Sequence, residues 1–358
     1  MPISATDTIA LAFQHTKRQL FQPFHLWQWT RLAVVGLLAG EAGSSGSFNF
    51  PTNFNVPQQG DSSQHFLSAE LPHIDPAILG TLITVLVVTG LVFLVVMLYV
   101  SSVMRFILFD SVLTRKCSIR SGWNRRQAPG WDYFLWQLGY AIAVLLGAVV
   151  VVGIPAAYAY FQGWFRAPDD HMAALVLGGI VVFCLAFILF IAAAVVQVLT
   201  KDFVVPQMAL EGIDAVEGWR RLWPMMQQEG SRYAGYIGMK ILLAIGAGIV
   251  LGIVGLIVGL VLAIPAVAVS LAAIFAGKAA GLTWNVLTIT AAVIAGCIAF
   301  AILLYAIALI AVPAIVFFPA YAMYFFAPRY RALSLTLYPP PANAMNPAPP
   351  DFPPPAPA

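Results

Sequence analysis

Two short stretches carry the side chains best suited to chemistry at a surface. SGWNRR at 121–126 and EGWRRL at 217–222 share a Gly-Trp-x-Arg pattern 96 residues apart. An arginine guanidinium presents a planar fork of N–H donors that fits a phosphate. A tryptophan presents an apolar ring with one N–H donor, which suits the headgroup layer of a membrane. Trp123, Arg125, Arg126, Trp219, Arg220 and Arg221 are therefore the candidate lipid-headgroup and interface residues. Two roles are open to them: recognition of a particular headgroup, or plain anchoring and topology at the interface.

Other chemistry is thinly represented. His65, His73, Asp75, Asp169, Asp170 and His171 supply metal-ligating atoms, but no pair has tight ligand spacing on a regular element. They read as solvated loop residues, and no metal or other cofactor is expected. Cys117, Cys184 and Cys297 are scattered, so they read as small apolar side chains rather than a disulfide framework. No HExxH, GxSxG, P-loop or dinucleotide motif occurs, and enzymatic activity is not expected. The stretches 77–104, 134–160, 173–199, 241–276 and 286–328 contain no Asp, Glu, Lys or His. Ion-coupled carriers place such groups inside the membrane, so that class is disfavoured too.

The elements that position these residues follow from composition. Of 358 residues, 61% are apolar and 9% are charged, against roughly 25% charged in soluble domains. Apolar runs at 77–104, 134–160, 173–199, 238–276 and 286–328 each exceed the roughly 20 residues that cross a bilayer core. The expected fold is all-α: a polytopic helical membrane protein. The N-terminus lacks the pattern of a removable signal peptide. Lys and Arg fall at 17, 18 and 31, at 105–126, at 201–240, and at 329 and 331, with only Arg166 and Lys278 elsewhere. The positive-inside tendency places the majority in the cytoplasm. Six spans with both termini inside then follow, the first being FHLWQWTRLAVVGLLAG at 24–40, with Arg31 reaching the interface beside Trp27 and Trp29. A re-entrant or interfacial helix is the alternative for so short a run. The last two runs are longer than a membrane is thick, and Pro265 and Pro313 are their expected break points.

Residues 1–23 predict an amphipathic cytoplasmic helix, with Ile9, Phe13 and Leu20 apolar and Lys17 and Arg18 on another face. It lies on the inner leaflet or packs on the bundle. The membrane domain spans 24–333, with an external loop at 41–75, and the Pro-rich tail at 334–358 reads as disordered. Aligning Gly122-Trp123 on Gly218-Trp219 brings ILFDSVL (107–113) onto FVVPQMA (203–209). Each copy reads as an incoming span, a short apolar turn, a Gly-Trp-x-Arg helix and an outgoing span. This predicts a parallel repeat with copies at about 77–160 and 173–276. Both motif helices are expected to lie flat on the membrane. Asp214 and Glu217 have capping-box spacing, and Ile213, Val216 and Trp223 share a face. Glycines 248, 252, 255 and 259 form small-xxx-small pairs, which predicts close helix packing.

The stretch FVVPQMALEGIDAVEGWRRLWPMMQQEGSRYAGYIGMKILLAI (203–245) resembles a broad bacterial group related to the membrane domain of glycerophosphodiester phosphodiesterases. Pro206, Leu210, Glu211 and Gly212 are the family-signature residues, and Ala215, Arg220 and Arg221 also fit. VFFPAYAMYFFAPRYRAL (316–333) resembles the ending of such proteins. The resemblance implies a multi-pass helical domain in the bacterial cytoplasmic membrane. The catalytic barrel of roughly 250 residues has no place in this chain, so phosphodiesterase activity does not carry over. The leading expectation is a non-enzymatic membrane protein that organises lipid or partner proteins through two basic interfacial helices. A transporter of lipid or apolar solute, and a membrane-anchor subunit for a separate enzyme, are the alternatives. Membrane lipids are the expected partners, with room for an unidentified protein and none for nucleic acid.

Overall fold

The computed structural model describes residues 6–41, 76–165, 169–279, 281 and 286–338. The external loop beyond residue 41, the Pro-rich tail from 339, and His65, His73 and Asp75 lie outside the described residues. The described residues form helices and no strand. They are α1 (Asp7–Phe21), α2 (Leu26–Leu38), α3 (Pro76–Thr114), α4 (Ile119–Ala148), α5 (Ile154–Phe161), α6 (Met172–Leu199), α7 (Val205–Glu211), α8 (Ala215–Gln228), α9 (Gly230–Ala279), α10 (Val286–Phe326) and α11 (Arg331–Leu337).

Among the described residues, five stretches are long and apolar enough to cross a membrane: Gly80–Thr114, Ile119–Phe161, Asp169–Glu211, Gly230–Gly277 and Thr288–Arg329. Large apolar side chains along them, such as Leu86, Phe183 and Leu256, stand exposed. A helix apolar on every side suits a hydrocarbon solvent. Two of the five continue through a proline by the same device. A π-turn at Val149–Gly153 joins α4 to α5 ahead of Pro155, and another at Thr200–Val204 joins α6 to α7 ahead of Pro206. Proline lacks an N–H, and its ring collides with the carbonyl four residues back. Widening the preceding turn relieves the collision without ending the helix.

Three expectations change. First, 24–40 yields only α2, 13 residues long and so about 20 Å at ~1.5 Å per residue, less than the ~30 Å hydrocarbon core. Gln28 Nε2 donates to the Arg115 carbonyl at 2.9 Å, and Arg105 Nη2 donates to the Ala39 carbonyl at 2.9 Å. These contacts lay α2 antiparallel along the end of α3, with Gly36 against the side chain of Ile315. Second, Pro265 and Pro313 do not break their helices, since α9 runs for 50 residues and α10 for 41. One proline removes one hydrogen bond, whereas a break in hydrocarbon strips several peptide groups of partners. Third, a Cβ built at Gly252, Gly255 or Gly259 meets nothing within 4 Å, so the small-residue stripe is not packed on another helix within the chain's described residues.

The chain divides into two compact units. One comprises Met1–Arg18, Ala141–Met239 and Phe317–Ala358, the other Gln19–Tyr140 and Lys240–Val316. The first is centred on aromatic rings: Phe203 lies 5.1–5.9 Å, between ring centroids, from Tyr233, Tyr236, Phe325 and Phe326. Within it, α1 turns Ala12, His15 and Thr16 inward, and His15 Nδ1 sits 3.1 Å from the Tyr324 hydroxyl. Of the two roles open to that helix, it packs on the protein, though Phe13 remains exposed. The second unit is centred on Val103, Phe106, Ile107 and Tyr133. Arg105 Nη1 donates to the Tyr133 hydroxyl at 2.5 Å, with its guanidinium 5.5 Å from the ring centroid.

Candidate functional site

In the first motif, the glycine explains the local structure. A Cβ on Gly122 would sit 3.1 Å from Ile107 Cγ1, so α4 starts pressed against the end of α3. Trp123 turns its ring to the edge of Tyr99, 6.1 Å between centroids. Arg126 grips Asp110 with two bonds, Nε to Oδ2 at 2.8 Å and Nη2 to Oδ1 at 2.7 Å, and Arg125 adds a third at 3.1 Å. Arg126 and Asp110 are largely enclosed, whereas the Arg125 side chain is 63% exposed. The motif is not a separate surface helix here, because α4 runs on from Ile119 to Ala148. Its arginines act first as a clamp between α4 and α3.

The second motif repeats the contact with different partners. A Cβ on Gly218 would lie 2.7 Å from Val204 Cγ1, and Trp219 Nε1 donates to Thr200 Oγ1 at 3.1 Å. Both tryptophans thus contact the incoming helix. Arg221 Nε donates to Glu217 at 3.0 Å, and its Nη1 pairs with Glu211. Glu217 first and Glu211 next hold the Arg221 guanidinium above its ordinary pKa. Arg220 pairs with Glu217 at 2.8 Å yet is 79% exposed. Unlike its counterpart, α8 is a helix of its own, ending at Glu229 before α9. Its Ala215, Gly218 and Leu222 are buried, while Val216 and Trp223 are exposed.

The signature residues build the corner that holds α8. Pro206 is buried in the first turn of α7, and Leu210 is half-buried. Gly212 closes α7 at φ +68°, where a side chain would be strained. Asp214 Oδ1 accepts from the Glu217 N–H at 2.9 Å, which is half of the expected capping box. The reciprocal half is replaced, because the Glu217 carboxylate is taken by Arg220 and Arg221. Glu211 also accepts from the Tyr330 hydroxyl at 2.5 Å. Burial first, and then that bond, push the Tyr330 hydroxyl well above its ordinary pKa. Nearby, Arg329 Nε donates to Glu229 at 2.7 Å, with its guanidinium 4.1 Å from the Phe325 ring centroid.

A profile of a family of unknown function, DUF7544, matches residues 3–336. The chain belongs to that family. No curated protein and no solved structure matches it. The DUF7544 profile covers both motifs, the α7–α8 corner and the closing α11 up to residue 336.

Sequence reasoning passed over Asp110, Glu229, Arg329 and Tyr330. Asp110 had a visible signal: it is the single carboxylate among six cations between 105 and 126. Asp169, Asp170 and His171 form one short 3₁₀ turn. No group of three or more His, Cys, Asp or Glu side chains arranged to hold a metal occurs among the described residues. Cys117 is buried, and burial raises its thiol pKa despite Ser111 and Arg31. That keeps it a protonated thiol.

Proposed function

We propose that this DUF7544 protein is a non-catalytic, multi-pass protein of the bacterial cytoplasmic membrane that organises anionic lipid at its basic face, with both Gly-Trp-x-Arg motifs and the C-terminus cytoplasmic. One observation carries the reading. On α8 the exposed Val216 and Trp223 share an edge with Arg220, 79% exposed, while the opposite face is buried in protein. An apolar edge carrying a tryptophan and an arginine suits the boundary between headgroups and acyl chains. The remaining motif arginines support α8 and α4 from behind through carboxylates. The relation to the membrane domain of glycerophosphodiester phosphodiesterases, proposed from 203–245, rests on this same α7–α8 corner.

Hydrogen exchange over 210–223 tests the reading, in nanodiscs of anionic and of neutral lipid. Greater protection is expected in anionic lipid, and Arg220→Glu should abolish the difference without loss of membrane insertion. Equal protection in both lipids and in the variant would mean that protein packing alone holds α8.

A further inference from the structure

We propose a binding site for a phosphate-bearing anion in the groove between the starts of α2 and α4. The groove is open to its surroundings, has a volume of about 590 Å³ and is lined by Arg31, Ser118, Ile119, Arg120, Ser121 and Asn124. It shares no residue with either Gly-Trp-x-Arg clamp except the intervening Asn124. Two arginines on different helices, two serines and an asparagine line this one groove. Arg31 is held by the Trp27 ring, 5.1 Å from its centroid, and spends an N–H on the Cys117 carbonyl at 3.3 Å. A guanidinium has further donors to offer. Arg120 is exposed and makes no ion pair among the described residues.

The single carboxylate between 105 and 126, Asp110, is already engaged by Arg125 and Arg126, and Arg115 and Lys116 lie just ahead of the groove in sequence. Ser118 and Ser121 hydroxyls lie 2.6 Å apart, so one of them has a proton to give to a third oxygen. Hydroxyls and guanidinium forks together fit an oxyanion with several acceptor oxygens, which is a phosphate ester. The volume exceeds that of a lone phosphate and leaves room for the group esterified to it. A glycerophospholipid headgroup and a soluble phosphate ester share this chemistry. Phe24, Leu26 and Trp27, each more than half exposed, lie where α2 begins and offer an apolar edge for acyl chains. Only the lipid source rests on the proposal that this face meets a membrane.

Native mass spectrometry of the full chain in dodecyl maltoside tests the site, titrated with dioleoyl phosphatidylglycerol, with dioleoyl phosphatidylcholine and with glycerol 3-phosphate. The phosphatidylglycerol is expected to saturate one site ahead of phosphatidylcholine. Arg31→Gln with Arg120→Gln should weaken it roughly thirtyfold, at about fivefold per charge removed. Arg31→Lys with Arg120→Lys should keep most of the binding, and Ser121→Asp should weaken it. Arginine-dependent binding of glycerol 3-phosphate without phosphatidylglycerol would support the site and assign a soluble ester. Binding of either probe that is indifferent to the Arg31–Arg120 change would overturn it, as would no binding at all. Should that double variant fail to fold, indifference to Ser121→Asp, at an exposed position, would overturn it equally. The α8 experiment uses other residues, so either proposal can fail alone.

Discussion

Gly218→Ala is the sharpest test of what the repeated motif does. A Cβ at 218 falls 2.7 Å from Val204 Cγ1, about 1 Å inside the usual carbon–carbon separation of roughly 3.5–4.0 Å. Val204 is fully buried within the Thr200–Val204 π-turn, and a β-branched side chain has few rotamers with which to step aside. Overpacking of this kind costs about 1–3 kcal/mol, while alanine gains up to ~1 kcal/mol over glycine inside a helix. The net loss is then about 1–2 kcal/mol, or roughly 2–4 °C in thermal midpoint. The assay is thermal unfolding of the full chain in detergent, followed by far-ultraviolet circular dichroism. Val204→Ala alone should cost about 2 kcal/mol through its cavity. The pair Gly218→Ala with Val204→Ala should cost no more than Val204→Ala alone, because the added methyl fills that space. Gly235→Ala, which meets nothing within 4 Å, should be neutral or slightly stabilising. A coupling energy within about 0.3 kcal/mol of zero, the ordinary scatter of independent sites, would refute the close-packing account of the motif.

Asp110→Asn takes a bidentate carboxylate from a largely enclosed Arg126 and should cost about 2 kcal/mol, between the values for buried and surface pairs. Arg125→Gln, at an exposed side chain, should cost under about 1 kcal/mol in the same melts. Partial burial opposes ionisation of Glu229, yet Arg329 and Arg232 hold its carboxyl below the ordinary 4.5. Its folded form therefore binds fewer protons than the unfolded chain, and its contribution is present above that value and lost as pH falls through the lowered one. The gap in melting temperature between wild type and Glu229→Gln should accordingly close on acidification from pH 7, and a widening gap would contradict the assignment. Single cysteines at Ser62 and Asn124, in a background without native thiols, should react with an impermeant reagent from opposite sides; equal labelling from outside would overturn the proposed sidedness.

The helical membrane class was legible because a bilayer imposes a single demand, a long apolar helix, which composition reports directly. Helix ends were less legible. Residues 24–40 look like a span by hydropathy, but α2 ends at Leu38 with the Ala39 carbonyl received by Arg105, 66 positions away. Pro265 looks like a break because local propensity counts the lost hydrogen bond and not the alternative of bare peptide groups in hydrocarbon. The motif itself was visible, and the role of its glycine was not, because the value of a missing Cβ depends on Val204 and Ile107 lying opposite. The signature Glu211 stood out in sequence without its reason, which is Tyr330, 119 residues later.

Charge was the feature most easily misread. A count of Lys and Arg by side treats each as free to meet lipid. In the structure Arg125, Arg126, Arg220, Arg221, Arg232 and Arg329 all sit in ion pairs with Asp110, Glu211, Glu217 or Glu229. These pairs join helix ends or brace single helices, so most of the motif's charge is spent within the protein. The cations with no ion pair among the described residues include Arg115, Lys116 and Arg120, of which Arg120 lines the α2–α4 groove, and none lies in a Gly-Trp-x-Arg sequence. Attraction between basic residues and an anionic surface scales with charge not already neutralised. Docking of the motif helices and contact with lipid are therefore separate roles, the second proposed for the exposed Arg220 and for the unpaired cations. The first sets how closely the helix after each incoming span docks on it. The second leaves a cationic rim on that docked scaffold, where a phosphate can be held.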